Sequence, residues 1–256
     1  MLRKAKDVMD FTLGARDGEI GRVKDFYFDD EAWTVRYLVA DTGKWLELRR
    51  VLISPFAVQG FRERNHVVEI NLTRDQVKGS PSIDTSEPVS RRHEIEYLRY
   101  YGWPFYWQGP GLWGPWARPS HRDLPVPEPE PPSPAQPEQP ADLHLRSTDE
   151  VTGYHIEARD GEIGHVQDFV IDDEDWSIQY LVIDTGNWWP GRKVLLSPVW
   201  STLVDWDRSQ VRVDLDRATI KLAPVYDPSI PISREYEARL FAYYSQPPYW
   251  ERRLAA

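Results

Sequence analysis

Two runs of carboxylates are the densest groups of potential metal ligands in this sequence. One is Asp29-Asp30-Glu31 and the other is Asp172-Asp173-Glu174-Asp175. Ca²⁺ and Mg²⁺ prefer oxygen ligands, so such a run could hold a cation. Neither run has the Asp-x-Asp-x-Asp-Gly pattern with a distal Glu that marks a Ca²⁺-binding loop. We therefore interpret both runs as solvated hairpin turns and predict no metal site.

Both runs belong to one sequence that occurs twice, 143 positions apart. The correspondence runs without a gap from Ala15/Ala158 to Trp107/Trp250, and 42 of the 93 aligned pairs are identical. This identity indicates an internal duplication, so each candidate residue can be tested by asking whether it recurs.

One carboxylate that lies inside a predicted strand does recur, as Asp25 and Asp168, in the same sequence context. A carboxylate inside a strand pattern could serve as an acid or base. No histidine or second carboxylate accompanies it in both copies, so we favour a structural role. That role is to accept hydrogen bonds from a nearby turn or to pair with an arginine.

Other catalytic patterns are missing from the sequence. None of the six histidines recurs as histidine, and there is no cysteine, no Gly-x-Ser-x-Gly, no Gly-x-Gly-x-x-Gly and no Walker pattern. These absences disfavour thiolate chemistry, serine nucleophiles and nucleotide loops. We predict a protein that is not an enzyme and has no cofactor.

Charge and hydropathy limit the partners and the compartment. The net charge is −10, and residues 146–256 hold 12 basic and 19 acidic side chains. An acidic surface disfavours binding to nucleic-acid phosphates. No apolar run reaches the ~18 residues of a membrane span, and no apolar core follows the basic residues at 3–6 as in a secretory signal. We expect a cytoplasmic protein without a membrane span.

Hydrophobic patterning predicts the elements that must position these residues. Each copy has five or six short strands at roughly ten-residue spacing, typical of a small antiparallel barrel or sandwich. Asp17-Gly18 predicts a type I′ hairpin turn. Ser90 and Ser233 are predicted helix N-caps, as are Thr73, in a capping box, and Asp216.

A proline-rich stretch separates the copies and sets the predicted domains. Residues 108–145 contain 11 of the 22 prolines, a composition that indicates an extended spacer without a core of its own. We predict one domain at 1–107, a linker at 108–145 and a second domain at 146–256. Each domain is expected to be a small barrel followed by a helix and an aromatic tail.

The aromatic residues are the strongest candidates for a binding surface. Trp and Tyr dominate protein contacts, and several recur in both copies. They could instead fasten each tail to its own barrel, and the sequence leaves both alternatives open. The candidate interface residues are Trp45, Tyr106, Trp107, Trp188, Trp189, Tyr249 and Trp250.

The repeated residues resemble the PRC-barrel superfamily. This superfamily is named for the cytoplasmic domain of the photosynthetic reaction-centre H subunit and includes the C-terminal half of the ribosome maturation factor RimM. The resemblance rests on short motifs that both copies share. In the first copy they are Gly18-Glu19-Ile20-Gly21, Asp25-Phe26, Tyr37-Leu38-Val39, Asp41-Thr42-Gly43 and Val51-Leu52-Ile53-Ser54-Pro55. The resemblance implies a small six-stranded barrel used for protein–protein contact.

Three functions follow as hypotheses. The first is a non-catalytic interaction or adaptor module whose partner is another protein and whose two repeats also pair with each other. The second is a small-molecule or ion-binding protein with a site between the barrels. The third is an enzyme with a shared site, for which the sequence offers least support.

Overall fold

The fold is known from a computed structural model, which describes residues 1–46, 49–81, 89–119, 144–186, 192–200 and 202–254. It is mainly β. The strands of the first repeat are β1 (Leu2–Lys4), β2 (Thr12–Ala15), β3 (Gly18–Asp29), β4 (Thr34–Asp41), β5 (Arg50–Ile53), β6 (Val58–Arg62) and β7 (Val67–Ile70). Its helices are α1 (Ala5–Val8), α2 (Arg74–Lys78) and α3 (Arg91–Tyr101).

The second repeat follows the same order of elements. Its strands are β8 (Leu145–Ser147), β9 (His155–Ala158), β10 (Gly161–Asp172), β11 (Ile178–Asp184), β12 (Lys193–Leu196), β13 (Thr202–Asp205) and β14 (Gln210–Val213). Its helices are α4 (Thr148–Val151), α5 (Arg217–Leu222), α6 (Arg234–Tyr243) and α7 (Tyr249–Leu254). The last helix, α7, begins within the predicted aromatic tail of this repeat.

Two mixed sheets of seven strands form the core. One has the order β5-β4-β3-β2-β7-β6, with β8 added on β3, and the other has the order β12-β11-β10-β9-β14-β13, with β1 added on β10. The β2–β7 and β9–β14 ladders are parallel. The other ladders along both orders are antiparallel.

The parallel ladders correct the prediction of wholly antiparallel barrels. In the first sheet, β5 passes into β6 through a 3₁₀ turn at Pro55–Ala57. Because this turn does not reverse the chain, β7 returns parallel to β2. Within the described residues no ladder joins β5 to β6, so the hydrogen-bonded sheet is an open path and not a closed barrel.

The chain divides into two compact units whose boundaries differ from the predicted domains. Unit 1 comprises Met1, Ala5–Asp149 and Asp172–Ser177, and unit 2 comprises Leu2–Lys4, Glu150–Ile171 and Ile178–Ala256. The short strand that opens each repeat thus belongs to the unit built mainly from the other repeat. In unit 1, β8 pairs antiparallel with β3, and in unit 2, β1 pairs with β10.

Part of the predicted spacer is packed into unit 1. Trp113 is fully buried, with its ring 5.1 Å from that of Phe56 in an edge-to-face arrangement. Its indole Nε1 donates a hydrogen bond of 2.8 Å to the carbonyl of Asp175. The spacer therefore does not begin at 108, because residues 108–119 carry apolar surface that unit 1 buries. Residues 120–143 lie outside the described residues.

The predicted type I′ turn at Asp17-Gly18 is also corrected. β2 ends at Ala15, which pairs with Gly18, so the turn is Arg16-Asp17 and neither residue has the positive φ that type I′ requires. Asp17 Oδ1 instead accepts a hydrogen bond from the Arg74 amide at the start of α2. In unit 2, Asp160 accepts from the Arg217 amide in the same way.

The predicted helix cap at Asp216 is also corrected. Asp216 precedes α5 but makes no side-chain cap hydrogen bond. Asp160 already satisfies the first free amide of α5 from the hairpin turn, so α5 has an acidic partner at its N-terminus without a local cap. The Thr73 capping box at α2 is confirmed.

The predicted caps of the two longer helices are also confirmed. Ser90 Oγ accepts from the His93 amide, and Ser233 Oγ accepts from the Tyr236 amide. In α3 the buried face consists of Glu94, Tyr97 and Leu98. Because of this spacing, the Glu94 carboxylate in the first turn of α3 faces the sheet. The candidate site is built around it.

Candidate functional site

Glu94 is the centre of a buried polar cluster in unit 1. Its side chain is fully buried. Oε2 accepts hydrogen bonds from the hydroxyls of Tyr37 (2.9 Å) and Tyr106 (2.8 Å). Oε1 lies 2.6 Å from His144 Nε2 and 3.3 Å from a guanidinium nitrogen of Arg91. Strand β4, helix α3, the aromatic tail and the residue before β8 therefore meet at one carboxylate.

The electrostatics of the cluster keep its phenols protonated. Burial, followed by the nearby Glu94 carboxylate, raises the pKa of Tyr37 well above its ordinary value. The same two causes raise the pKa of Tyr106. Both hydroxyls therefore remain hydrogen-bond donors to Glu94 across the physiological pH range.

Unit 2 repeats this cluster without the histidine. Glu237 is buried and its Oε1 accepts from Tyr180 (2.7 Å) and Tyr249 (3.0 Å). Arg234 lies 3.2 Å from Oε2. The position equivalent to His144 is occupied by Met1 in the other repeat. The Glu–His pair is thus specific to unit 1.

Asp25 holds the residues that follow β8. Its side chain is buried and accepts from Ser147 Oγ (2.6 Å), Thr148 Oγ1 (2.8 Å) and the Asp149 amide (3.1 Å). Burial raises the pKa of Asp25, and these hydrogen bonds oppose that rise. The predicted structural role agrees with this geometry, in which Asp25 accepts bonds at the start of α4.

The carboxylate runs are turns that are only partly solvated: Asp29, Asp172 and Asp175 are buried, whereas Glu31 and Glu174 are exposed. Asp29 is buried and pairs with Arg36 at 3.1 Å, and its Oδ1 accepts from the Glu31 amide. Asp30 pairs with Arg146 at 3.1 Å, and its pKa is raised first by burial. The prediction of solvated turns is wrong for Asp29, because donors within the unit replace water there, while Glu31 is exposed as predicted.

The second run is used in the same way. Asp172 and Asp175 are both buried. Asp172 Oδ1 accepts from the Glu174 amide at 3.1 Å, and Asp175 Oδ1 accepts from the Ser177 amide at 3.1 Å. Over the described ranges, no group of three or more metal-ligating side chains comes together.

The predicted interface aromatics contact their own unit. Tyr106 is buried. Trp107 is half-buried and stacks on Phe105 at 5.0 Å, with the Arg91 guanidinium 4.0 Å from its ring. The Arg74 guanidinium lies 4.7 Å from the half-buried Trp45.

The tail of unit 2 has the same arrangement. Trp250 is half-buried, with the Arg234 guanidinium 4.1 Å from its ring and Phe241 edge-on at 5.2 Å. The Tyr249 hydroxyl is engaged by Glu237. Trp188 and Trp189 lie outside the described residues. The described tail residues therefore contact the helix of their own unit, and an interface role for the seven candidates stays a prediction.

Together, Asp25, Asp30 and Glu94 bind one short stretch of chain, residues 144–149, which we call the docked segment. Sequence reasoning missed it because the strong repeat begins at Ala15. A weaker signal was present: Leu145-Arg146 recurs as Leu2-Arg3 at the same offset of 143. The site therefore binds a peptide strand, and no substrate is needed to explain its polar groups.

Two small mixed β-sheets, each with a capped helix and an aromatic tail, define a tandem β-domain protein. The profile of the PRC-barrel domain family matches residues 5–77 and again 149–223, more than half of the chain. The chain belongs to the PRC-barrel domain family. No curated protein matches the chain. No helix in the described part of the chain is long and apolar enough to span a membrane.

Proposed function

We propose that this chain is a non-catalytic, cytoplasmic protein–protein interaction or adaptor protein. The observation that carries the proposal is a run of exposed aliphatic side chains in unit 2. Leu222, Val225 and Ile230 are 71, 56 and 60 % exposed. They lie within nine positions, on α5 and the connection to α6, which we call the 222–230 segment. Isolated exposed aliphatic residues are common, but such a concentration is a feature of contact sites.

The polar groups support a non-catalytic role. The carboxylates of Asp25, Glu94 and Glu237 accept hydrogen bonds from donors in their own unit. A general acid or base must reach a proton on a substrate. Because these oxygens are buried and engaged, their geometry favours holding the fold over chemistry.

Charge indicates the kind of partner. Residues 146–256, which supply most of unit 2, hold 19 acidic and 12 basic side chains. A partner that covers the 222–230 segment would place apolar side chains on it and basic side chains around it, since complementary charge speeds association. The alternative of a small-molecule or ion-binding protein remains a prediction.

The proposal is tested by chemically cross-linking the protein to its partners in an extract of the cells that make it and identifying the proteins captured. The full chain is compared with the triple variant Leu222→Ser/Val225→Ser/Ile230→Ser. Val199→Ser is the matched control, since Val199 is an aliphatic residue of unit 2 with 59 % exposure outside the segment. We expect one partner to be lost with the triple variant and retained with the control. Identical captured sets for all three proteins would overturn the proposal.

We also propose that the two repeats pair within one chain. The composition of the units supports this pairing, because each contains a strand from the opposite repeat.

A further inference from the structure

The docked segment contacts residues of the first repeat along its whole length. Leu145, Arg146 and Ser147 are the antiparallel partners of Asp29, Phe28 and Tyr27 on β3. The Asp30 amide donates to the His144 carbonyl at 3.1 Å. Side chains then secure both ends of the segment, through His144 with Glu94 and through Ser147 and Thr148 with Asp25.

These contacts recognise particular side chains of the segment as well as its backbone. A ladder alone accepts most residues, whereas pockets and charges select particular side chains. Leu145 is buried, Arg146 pairs with Asp30, and the two hydroxyls meet a buried carboxylate. In the strand of the first repeat, the equivalents of Ser147 and Thr148 are Lys4 and Ala5, which have no hydroxyl.

Unit 2 receives the reciprocal strand. β1 pairs with β10, and Lys4 Nζ donates to the carbonyl of Pro228 at 3.0 Å. Both opening strands precede the regions that match the family profile, which begin at 5 and 149. The exchange is therefore a feature of this chain outside the matched domain.

We infer that the two repeats exchange their opening strands, so that each unit is completed by residues of the other repeat. The surface is the edge of β3 at Tyr27–Asp29 in unit 1, and its partner is the strand Leu145–Ser147. Exchange of an identical element is a known route to association between copies of one fold. Here both copies lie on one chain, so the exchange closes within the molecule. This inference deepens the proposed pairing of the repeats. Lys4 meets the 222–230 segment at the Pro228 carbonyl, but the exchange is argued from the contacts of β1 and β8 and not from the exposed side chains of that segment.

Disulfide trapping tests the exchange directly, because the chain has no cysteine of its own. Tyr27 and Ser147 are direct partners in an antiparallel ladder. Such pairs have Cα atoms about 4.5–5.5 Å apart, within the range that a disulfide spans. The variant is Tyr27→Cys/Ser147→Cys. The matched control is Tyr27→Cys/Lys4→Cys, since Lys4 is the repeat equivalent of Ser147 and would face Tyr27 if each repeat kept its own strand.

The two variants are made in the full chain with a protease recognition sequence between 125 and 140. After oxidation at low concentration and cleavage, we expect Tyr27→Cys/Ser147→Cys to keep both fragments in one band on a non-reducing gel. In the control both cysteines lie in the N-terminal fragment, so it gives two bands in any case, and we expect both of its thiols to stay free and to react with a maleimide after oxidation. Circular dichroism of both reduced variants confirms that they fold.

Two separate bands from oxidised Tyr27→Cys/Ser147→Cys, or loss of both free thiols in the control, would overturn the inference. A second measurement uses the cleaved chain without cysteines, which should elute as one particle containing both fragments until denaturant is added. Separation under native conditions would also overturn it. Capture of a partner through the 222–230 segment is a separate readout, so either proposal can fail alone.

Discussion

The Nε2 atom of His144 lies 2.6 Å from Oε1 of Glu94, with both side chains buried. This contact joins the residue before β8 to the first turn of α3, across 50 positions of sequence. The same carboxylate also accepts hydrogen bonds from two phenol hydroxyls. Such partners are needed because a buried charge is tolerated only when it is paired and hydrogen-bonded.

Removal of this carboxylate should be costly. We expect Glu94→Ala to lower the free energy of unfolding by about 3–5 kcal/mol, because it removes the carboxylate that accepts from the buried hydroxyls of Tyr37 and Tyr106 and that pairs with Arg91. The measurement is urea unfolding. Glu96→Ala is the matched control on the same helix. Glu96 is exposed and pairs with Arg92 at 3.5 Å, so its loss should cost less than about 0.5 kcal/mol. Equal losses would contradict the role of the cluster.

Trp113 should contribute to the stability of unit 1. Because it is fully buried against Phe56, we expect Trp113→Ala to lower the free energy of unfolding by about 3–5 kcal/mol. Trp116→Ala is the control, since this half-buried tryptophan lies three positions further along the chain. Chemical denaturation followed by circular dichroism measures both. A small, equal effect would place residues 108–119 in the spacer after all.

The raised pKa of Asp25 predicts a dependence of stability on pH. A carboxyl whose folded pKa lies above its unfolded value binds a proton more tightly in the folded state. Its contribution to stability is therefore largest below the ordinary value of 3.8 and falls as pH rises through the folded pKa. We expect the difference in unfolding free energy between wild type and Asp25→Asn to fall over that window. Urea unfolding at a series of pH values measures it.

Asp10 is the control of opposite sign. It is exposed, and its pKa is lowered by a hydrogen bond and charge attraction from Lys24. Its contribution is present above the ordinary value and is lost as pH falls through the folded pKa. The difference in unfolding free energy between wild type and Asp10→Asn should therefore rise with pH, opposite to the difference for Asp25→Asn. Slopes of the same sign for both variants would argue against burial as the cause at Asp25.

The helix caps should act locally. Ser90→Ala removes the acceptor for the His93 amide, and we expect a loss of about 1 kcal/mol in the stability of unit 1. Ser90→Asp should keep most of it, because an aspartate accepts the same bond. Hydrogen exchange of the α3 amides is the measurement, and unchanged protection in Ser90→Ala would be the contrary result.

Much of the fold could be predicted because it depends on local chemistry. Ser90, Ser233 and Thr73 cap helices through amides three positions away, and a short pattern shows such a bond. The repeat itself fixed which residues had to be equivalent. Asp17 misled the prediction because its carboxylate caps a helix 57 positions away, and no local turn rule contains that partner.

The site was harder to predict for the same physical reason. Asp25 was recognised as a structural acceptor, but its donors Ser147 and Thr148 come from the opening of the other repeat. Glu94 gave no signal beyond a helix charge pair with Arg91, since His144 stands in a proline-rich stretch. The parallel β2–β7 ladder depends on a turn at Pro55–Ala57 that bends the chain without reversing it, and composition does not encode that direction.

The position of β8 also sets the order in which the protein can mature on the ribosome. Ser147 follows its acceptor Asp25 by 122 positions. At a synthesis rate of roughly 5–20 residues per second, the edge of β3 waits about 6–25 s for its last strand. During that time it exposes unpaired backbone groups, which other chains can bind. Until β8 has been synthesised, the nascent first repeat is therefore open to chaperones and to misassembly with a neighbouring copy at this edge.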